Sequence, residues 1–228
     1  MEEIGHVSQL VFHLGTYQLS VNPKMFIMTW VVMGILILFG FFGGRKLRLV
    51  PHFIQTLWEM LIGFIDDLVV SAMDESGRKY VPLFTTLFLF VWVSNIISIV
   101  PGLEEPTQFL STDLGLALMI FIFVQYSALR KRGFIGFFKH HCEPMAIMLP
   151  LNVVGELAKV VSHSFRLFGN VLGHAIMLTI LSALCKNIGI PILLHLMGLL
   201  VGTIQAFVFT MLGVIYLSVA VKTEESHA

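Results

Sequence analysis

The residues with chemical potential lie in one apolar segment, Asn152 to Met177 (N-V-V-G-E-L-A-K-V-V-S-H-S-F-R-L-F-G-N-V-L-G-H-A-I-M). On a helix turning about 100° per residue with Arg166 as origin, Lys159 falls near ~20°, Asn152 and Asn170 near ~40°, His163 near ~60°, and Glu156 and His174 near ~80°. The polar residues therefore share one stripe, about 33 Å long from Asn152 to His174, close to the thickness of a bilayer core. A charge at membrane depth costs roughly 2.5–3.5 kcal/mol on insertion scales. Lipid cannot solvate such a stripe, so it must face protein or water. That is the chemistry of an ion pathway.

The members of the stripe differ. Glu156 and Lys159 are three apart on one face and can neutralise each other. Arg166 has no acid within one helical turn, so its carboxylate must come from another helix or another subunit. His163 and His174 can relay protons near neutral pH, or serve as hydrogen-bonded packing residues. They are separated by about 16 Å along the axis, too far to hold one haem together. His195, His140 and His141 receive no role. In the last apolar run, Gln205 is the most polar central group, and Gly198, Gly202, Phe209, Gly213 and Tyr216 lie within about 80° of it. Gly198 and Gly202 form a small-xxx-small pair that lets helices approach closely. This face is expected to pack on the Arg166 helix, with Gln205 beside the stripe.

The elements that position these residues are membrane helices. Of the 228 residues, 57% are hydrophobic and only 12% charged, against about 25% charged in a soluble domain. The mean hydropathy is +0.88. Formal net charge is zero, which excludes a basic field for nucleic acid. Cys142 and Cys185 have no metal-ligand spacing, fall on opposite sides of the expected topology, and should form no disulfide. No phosphate-cradling Gly-rich loop with Lys is present, so the chain should not be catalytic alone. No cofactor or metal is implied.

The expected fold is an all-α membrane protein of one domain. Residues 1–24 form an external tail with no cleavable signal. Spans follow at 25–44, 82–100 and 114–130. An interfacial amphipathic helix covers 52–73, where Gln55, Glu59, Asp66 and Asp67 alternate with apolar residues. A long, tilted, polar-striped helix at 144–184 and a C-terminal helix at 190–221 form a hairpin. With five crossings, Arg45, Lys46, Arg48, Arg78, Lys79, Arg130, Lys131, Arg132, Lys139 and Lys222 fall on one side. The opposite side carries Lys24, Lys186 and the acidic loop of Glu104, Glu105 and Asp113. By the positive-inside rule the N-terminus is outside and the C-terminus cytoplasmic.

Ser164-Phe165-Arg166-Leu167-Phe168-Gly169-Asn170 resembles the RLFGN motif of subunit a of the F-type ATP synthase, bacterial type. Gln205-Ala206-Phe207-Val208-Phe209 and Tyr216-Leu217-Ser218 match at the right distance, as do Pro150-Leu151-Asn152, Pro82-Leu83 and the stretch from Asn95 to Pro101-Gly102. The resemblance runs in order over nearly the whole chain. It implies a stator subunit in which two half-channels carry ions, read as protons, to and from the carboxylates of an oligomeric c-ring. Arg166 would face the ring and prevent short-circuit. Asn170 and Gln205 would lie beside the outer half-channel, and Lys159 matches a basic position found in some members. Subunit b of the peripheral stalk and the catalytic head would be the other partners, in a bacterial inner membrane. A standalone ion transporter or channel is the alternative. The sequence departs from a common bacterial pattern at two places. Ala175 stands where an acid often follows the motif, and Gly198 where a histidine is often found. His174 is the candidate replacement.

Overall fold

The structure is a computed structural model describing residues 10–14, 17–21, 23–44, 53–97, 105–142, 149–184 and 189–222. Strands β1 (Leu10–Leu14) and β2 (Tyr17–Val21) precede helices α1 (Pro23–Gly44), α2 (Phe53–Met73), α3 (Val81–Ile96), α4 (Leu110–Cys142), α5 (Leu149–Leu184) and α6 (Gly189–Lys222). Short 3₁₀ turns, Glu75–Tyr80 and Pro106–Gln108, lead into α3 and α4.

Among the described residues, four helical stretches are long and apolar enough to cross a membrane: Glu75–Ile96, Leu110–Lys131, Val154–Leu181 and His195–Val221. A shorter apolar stretch, Met25–Phe41, lies within the 22-residue α1. The chain is a multi-pass integral membrane protein. The N-terminal tail adds one short element beside the helices of this all-α fold. Within the N-terminal tail, β1 and β2 pair antiparallel, with Leu10 opposite Val21 and Leu14 opposite Tyr17. Tyr17, Leu19 and Val21 alternate with Gln18 and Ser20, the period-2 pattern of a strand. A two-residue connection is the commonest hairpin length.

The third span ends where hydropathy closes it, at Arg130-Lys131-Arg132: α4 breaks at Gly133, whose φ of 71° and ψ of 170° lie outside helical values, and a second helical stretch follows to Cys142. Only glycine adopts that backbone without strain.

The core lies between α2, α3, α4 and α6. Ile65, Val69 and Met73 of α2 meet Phe84 and Val91 of α3, Ile120 and Val124 of α4, and Phe209, Val214 and Leu217 of α6; α5 adds Leu167. Polar contacts set the directions of the helices. Asn95 Nδ2 donates to the Gly202 carbonyl (2.9 Å), and Trp92 Nε1 donates to Thr203 Oγ1 (3.1 Å). Ser218 Oγ donates to the Ala72 carbonyl (2.6 Å), and Lys131 Nζ to that of Val221 (3.4 Å). So α3 and α6 run antiparallel. The end of α2, the start of α3 and the end of α6 gather at one end of the bundle. There Arg78 pairs with Asp66 and Glu75. The helix expected over 52–73 packs its Ile65–Val69–Met73 stripe on α6 and leaves Phe53 and Met60 open.

Candidate functional site

The site is the hairpin of α5 and α6 with what α3 and α4 add to it. The helices meet in antiparallel register. His174 of α5 lies against Gly198 of α6. The His163 ring sits 3.9 Å from that of Phe209, and Lys159 Nζ lies 5.5 Å from the Tyr216 ring centroid. The stripe marks the edge where α5 passes from open to covered. Arg166 is exposed, Asn170 and His174 are half-buried, and His163 is buried. Burial deepens at Leu167, Val160 and Val171, roughly 100° to 140° from Arg166.

Arg166 is central in the 36-residue α5. Among the described residues no carboxylate pairs with it. Around it the open face is low: a Cβ placed on Gly155, Gly169 or Gly173 would meet nothing within 4 Å. Apolar groups such as Phe165 and Ile176 stand at its border.

Two cavities flank Arg166 along the helix. The smaller, about 20 Å³, lies toward the start of α5, lined by Glu156, Lys159 and His163 with Val124 of α4 and Tyr216 of α6. It has room for roughly one water. Glu156 and Lys159 form the expected ion pair, and Gln125 Nε2 donates to the other Glu156 oxygen at 3.3 Å. His163 both packs on Phe209 and borders this cavity. The larger cavity, about 420 Å³, lies toward the end of α5 and holds Asn170, His174, Asn95 and Glu105 on its walls. Its volume would admit a chain of waters.

The α6 face splits its packing. Gly198 faces α5, but Gly202 faces α3, where an added Cβ would come within 2.9 Å of the Asn95 Cβ. Gly213 likewise abuts Phe84 of α3 and Ile120 of α4. The small-xxx-small pair therefore joins α6 to two helices rather than to α5 alone. Gln205 is buried, and its Nε2 has no acceptor among the described residues; it does not border the larger cavity. Asn152 is in the first turn of α5, but its side chain lies outside the described residues, as do those of His140, His141 and Cys142. Cys185 and Glu104 are wholly outside them.

Sequence reasoning missed two wall residues. Asn95 was read only as part of a span, and Glu105 as a loop acid. Glu105 is 5% exposed and precedes the turn Pro106–Gln108, which packs on α5. Its neighbour Thr107 donates to Asn95 Oδ1 at 3.3 Å.

A family model described as ATP synthase A chain matches residues 26–218. The chain belongs to that family. ATP synthase subunit a of Moorella thermoacetica is 39% identical over 211 residues, covering 91% of this chain and 94% of the relative. ATP synthase subunit a 1 of Pelobacter propionicus is 38% identical, covering 87% of each chain. ATP synthase subunit a 2 of Bradyrhizobium sp. strain BTAi1 is 34% identical, covering 97% of each. Membership makes the chain an ion-translocating, non-catalytic membrane subunit of the ATP synthase. The matched region includes all of α5 and its polar stripe.

Proposed function

We propose that the chain is the fixed half of a rotary ion path, with Arg166 as the charged divide between two half-channels. The observation that carries this reading is the placement of Arg166. A guanidinium that pairs with no carboxylate among the described residues stands at mid-helix on an open face, with a cavity on either side of it. Lipid is an unworkable neighbour for that charge. The occupant that satisfies it is a protein surface bearing a membrane-embedded acid, which in this family is the c-ring. The low floor around Arg166 fits close approach by helices.

The cavity walled by Asn170 and His174 serves as the outer half-channel, and the one at Glu156, Lys159 and His163 as the inner. A proton enters from outside, neutralises a ring carboxylate, and travels with the ring through lipid. It leaves on the cytoplasmic side. Arg166 is always protonated and cannot carry the proton itself. Its positive charge favours the ionised carboxylate, so an acid passing it must first release its proton. That blocks direct leakage between the channels. Gln205, whose buried Nε2 has no acceptor among the described residues, would serve the outer side of the ion path with Asn170. Subunit b would hold the chain against rotation and link it to the catalytic head. The N-terminus faces outward and the C-terminus the cytoplasm of a bacterial inner membrane.

The test is Arg166→Ala in the assembled complex. ATP-driven proton pumping into inverted membrane vesicles should disappear, while subunit stoichiometry stays at the wild-type value. Wild-type pumping by that variant would sink the reading. Ion movement by the purified chain alone in liposomes would favour a standalone transporter instead.

A further inference from the structure

The larger cavity contains an answer to the two missing titratable groups. A Cβ built on Gly198 would collide with the His174 imidazole, at both Nε2 and Cε1. The ring of His174 therefore fills the space that a side chain at 198 would occupy. An imidazole is present at this place, but it is delivered from α5 instead of α6. Ala175, half-buried beside it, offers no acid. The acid on the cavity wall is Glu105, brought there by a turn that packs on α3, α4 and α5.

The geometry points to Glu105 as the carboxylate of the outer proton relay, working with the His174 imidazole seated over Gly198. This assignment rests on the half-channel reading above. In the synthesis direction the protonated Glu105 carboxyl passes its proton, through cavity water, to neutral His174. The imidazolium gives a proton to the arriving c-ring carboxylate, and the Glu105 carboxylate is reprotonated from the outer water. Each step moves one proton and leaves both groups as they began. Glu105 is nine-tenths buried, so it lies within the wall rather than on the membrane surface.

Other charged and titratable groups surround this pair. His195 of α6 has its ring 6.3 Å from that of His174. Asp113, in the first turn of α4, is close enough to Glu105 for the two carboxylates to repel. It is fully buried, and both its oxygens lack partners among the described residues. It does not border the cavity, which places it behind Glu105. On α5 itself the next charge is Arg166, two turns away. Asn95, from α3, is polar but does not titrate.

The experiment uses the whole complex in inverted vesicles, whose lumen is the outer side. It measures ATP synthesis against lumenal pH for Glu105→Gln, Glu105→Asp and Gly198→Ala. Glu105→Gln should lower the rate about tenfold or more, as loss of a proton-transfer group does, and move the lumenal pH dependence. Glu105→Asp should recover most of the rate with the wild-type profile. Gly198→Ala pushes the imidazole aside while leaving Glu105, and should change the same lumenal profile without altering the cytoplasmic one. A wild-type rate and profile in Glu105→Gln would overturn the assignment. So would a loss that scales all pH values equally and that Asp does not repair, because that is a structural role. If Arg166→Ala is dead while Glu105→Gln is normal, only the relay fails; if Arg166→Ala pumps normally, the half-channel reading fails.

Discussion

The two arms of the hairpin are of similar length, 36 residues in α5 and 34 in α6, and they pack on each other, but they divide the work. In α6, 44% of the spanning window is buried within the chain; in α5 it is 17%. The greasier helix is the one enclosed by protein, and the helix with charges is the one left open. In water that order would follow from the burial of apolar area alone. In lipid that drive between helices is absent, and packing, hydrogen bonds and small residues decide which faces meet. The arm α6 is keyed to α3 and α4 through Gly202, Gly213 and Phe209, whereas α5 keeps its outer face free. Substitutions on α6 should therefore damage folding, and those on the open face of α5 should damage coupling.

The sharpest break of that comparison is Arg166→Ala, which should abolish pumping and leave the melting temperature of the isolated chain in detergent near wild type. Unfolding of that variant would show that the guanidinium is structural. Next in size, Phe209→Ala removes a fully buried ring and the face on which His163 rests. A loss of about 3–5 kcal/mol is expected, read as a lowered unfolding midpoint. Gly202→Ala should cost about 1–3 kcal/mol, because the obstacle is the Cβ of Asn95 rather than the end of a flexible side chain, and the Asn95–Gly202 hydrogen bond is strained with it. Gly169→Ala on the open face should change stability by less than about 0.5 kcal/mol, yet reduce assembly with the ring in a pull-down of the complex. Equal thermal effects of Gly169→Ala and Gly202→Ala would refute the division. Smallest of all, Lys159→Gln breaks an ion pair whose side chains are 42% and 27% exposed. Its effect on unfolding should stay within about 1 kcal/mol.

The sequence made the striped helix legible because charges in an apolar run have few explanations. A helix over 52–73 was legible too, within one residue of Phe53–Met73, since amphipathic spacing is a local property. The Glu156–Lys159 pair was readable for the same reason: three residues on a helix settle proximity. Glu105 was not readable, because the cavity it shares with His174 is walled by a loop and a helix far apart in the chain. Nothing near Glu105 in sequence reports that the turn at Pro106 folds against α5. Gly202 misled in a related way. A small residue announces that something comes close but not what, and here it is Asn95. The hairpin of β1 and β2 was hidden by its brevity.

The bare floor around Arg166 has one more consequence. With no side chains on Gly169 and Gly173, the guanidinium is the tallest polar feature on that side of the helix, a post on a flat deck. An acid moving past would meet the post before it touches the deck, and the depth of the deck sets how near it comes. Since the attraction between two charges varies inversely with their separation, each methyl added to the deck acts as a shim that weakens the grip. On the proposed reading, the stopping power of the arginine would be adjusted by residues that carry no charge at all.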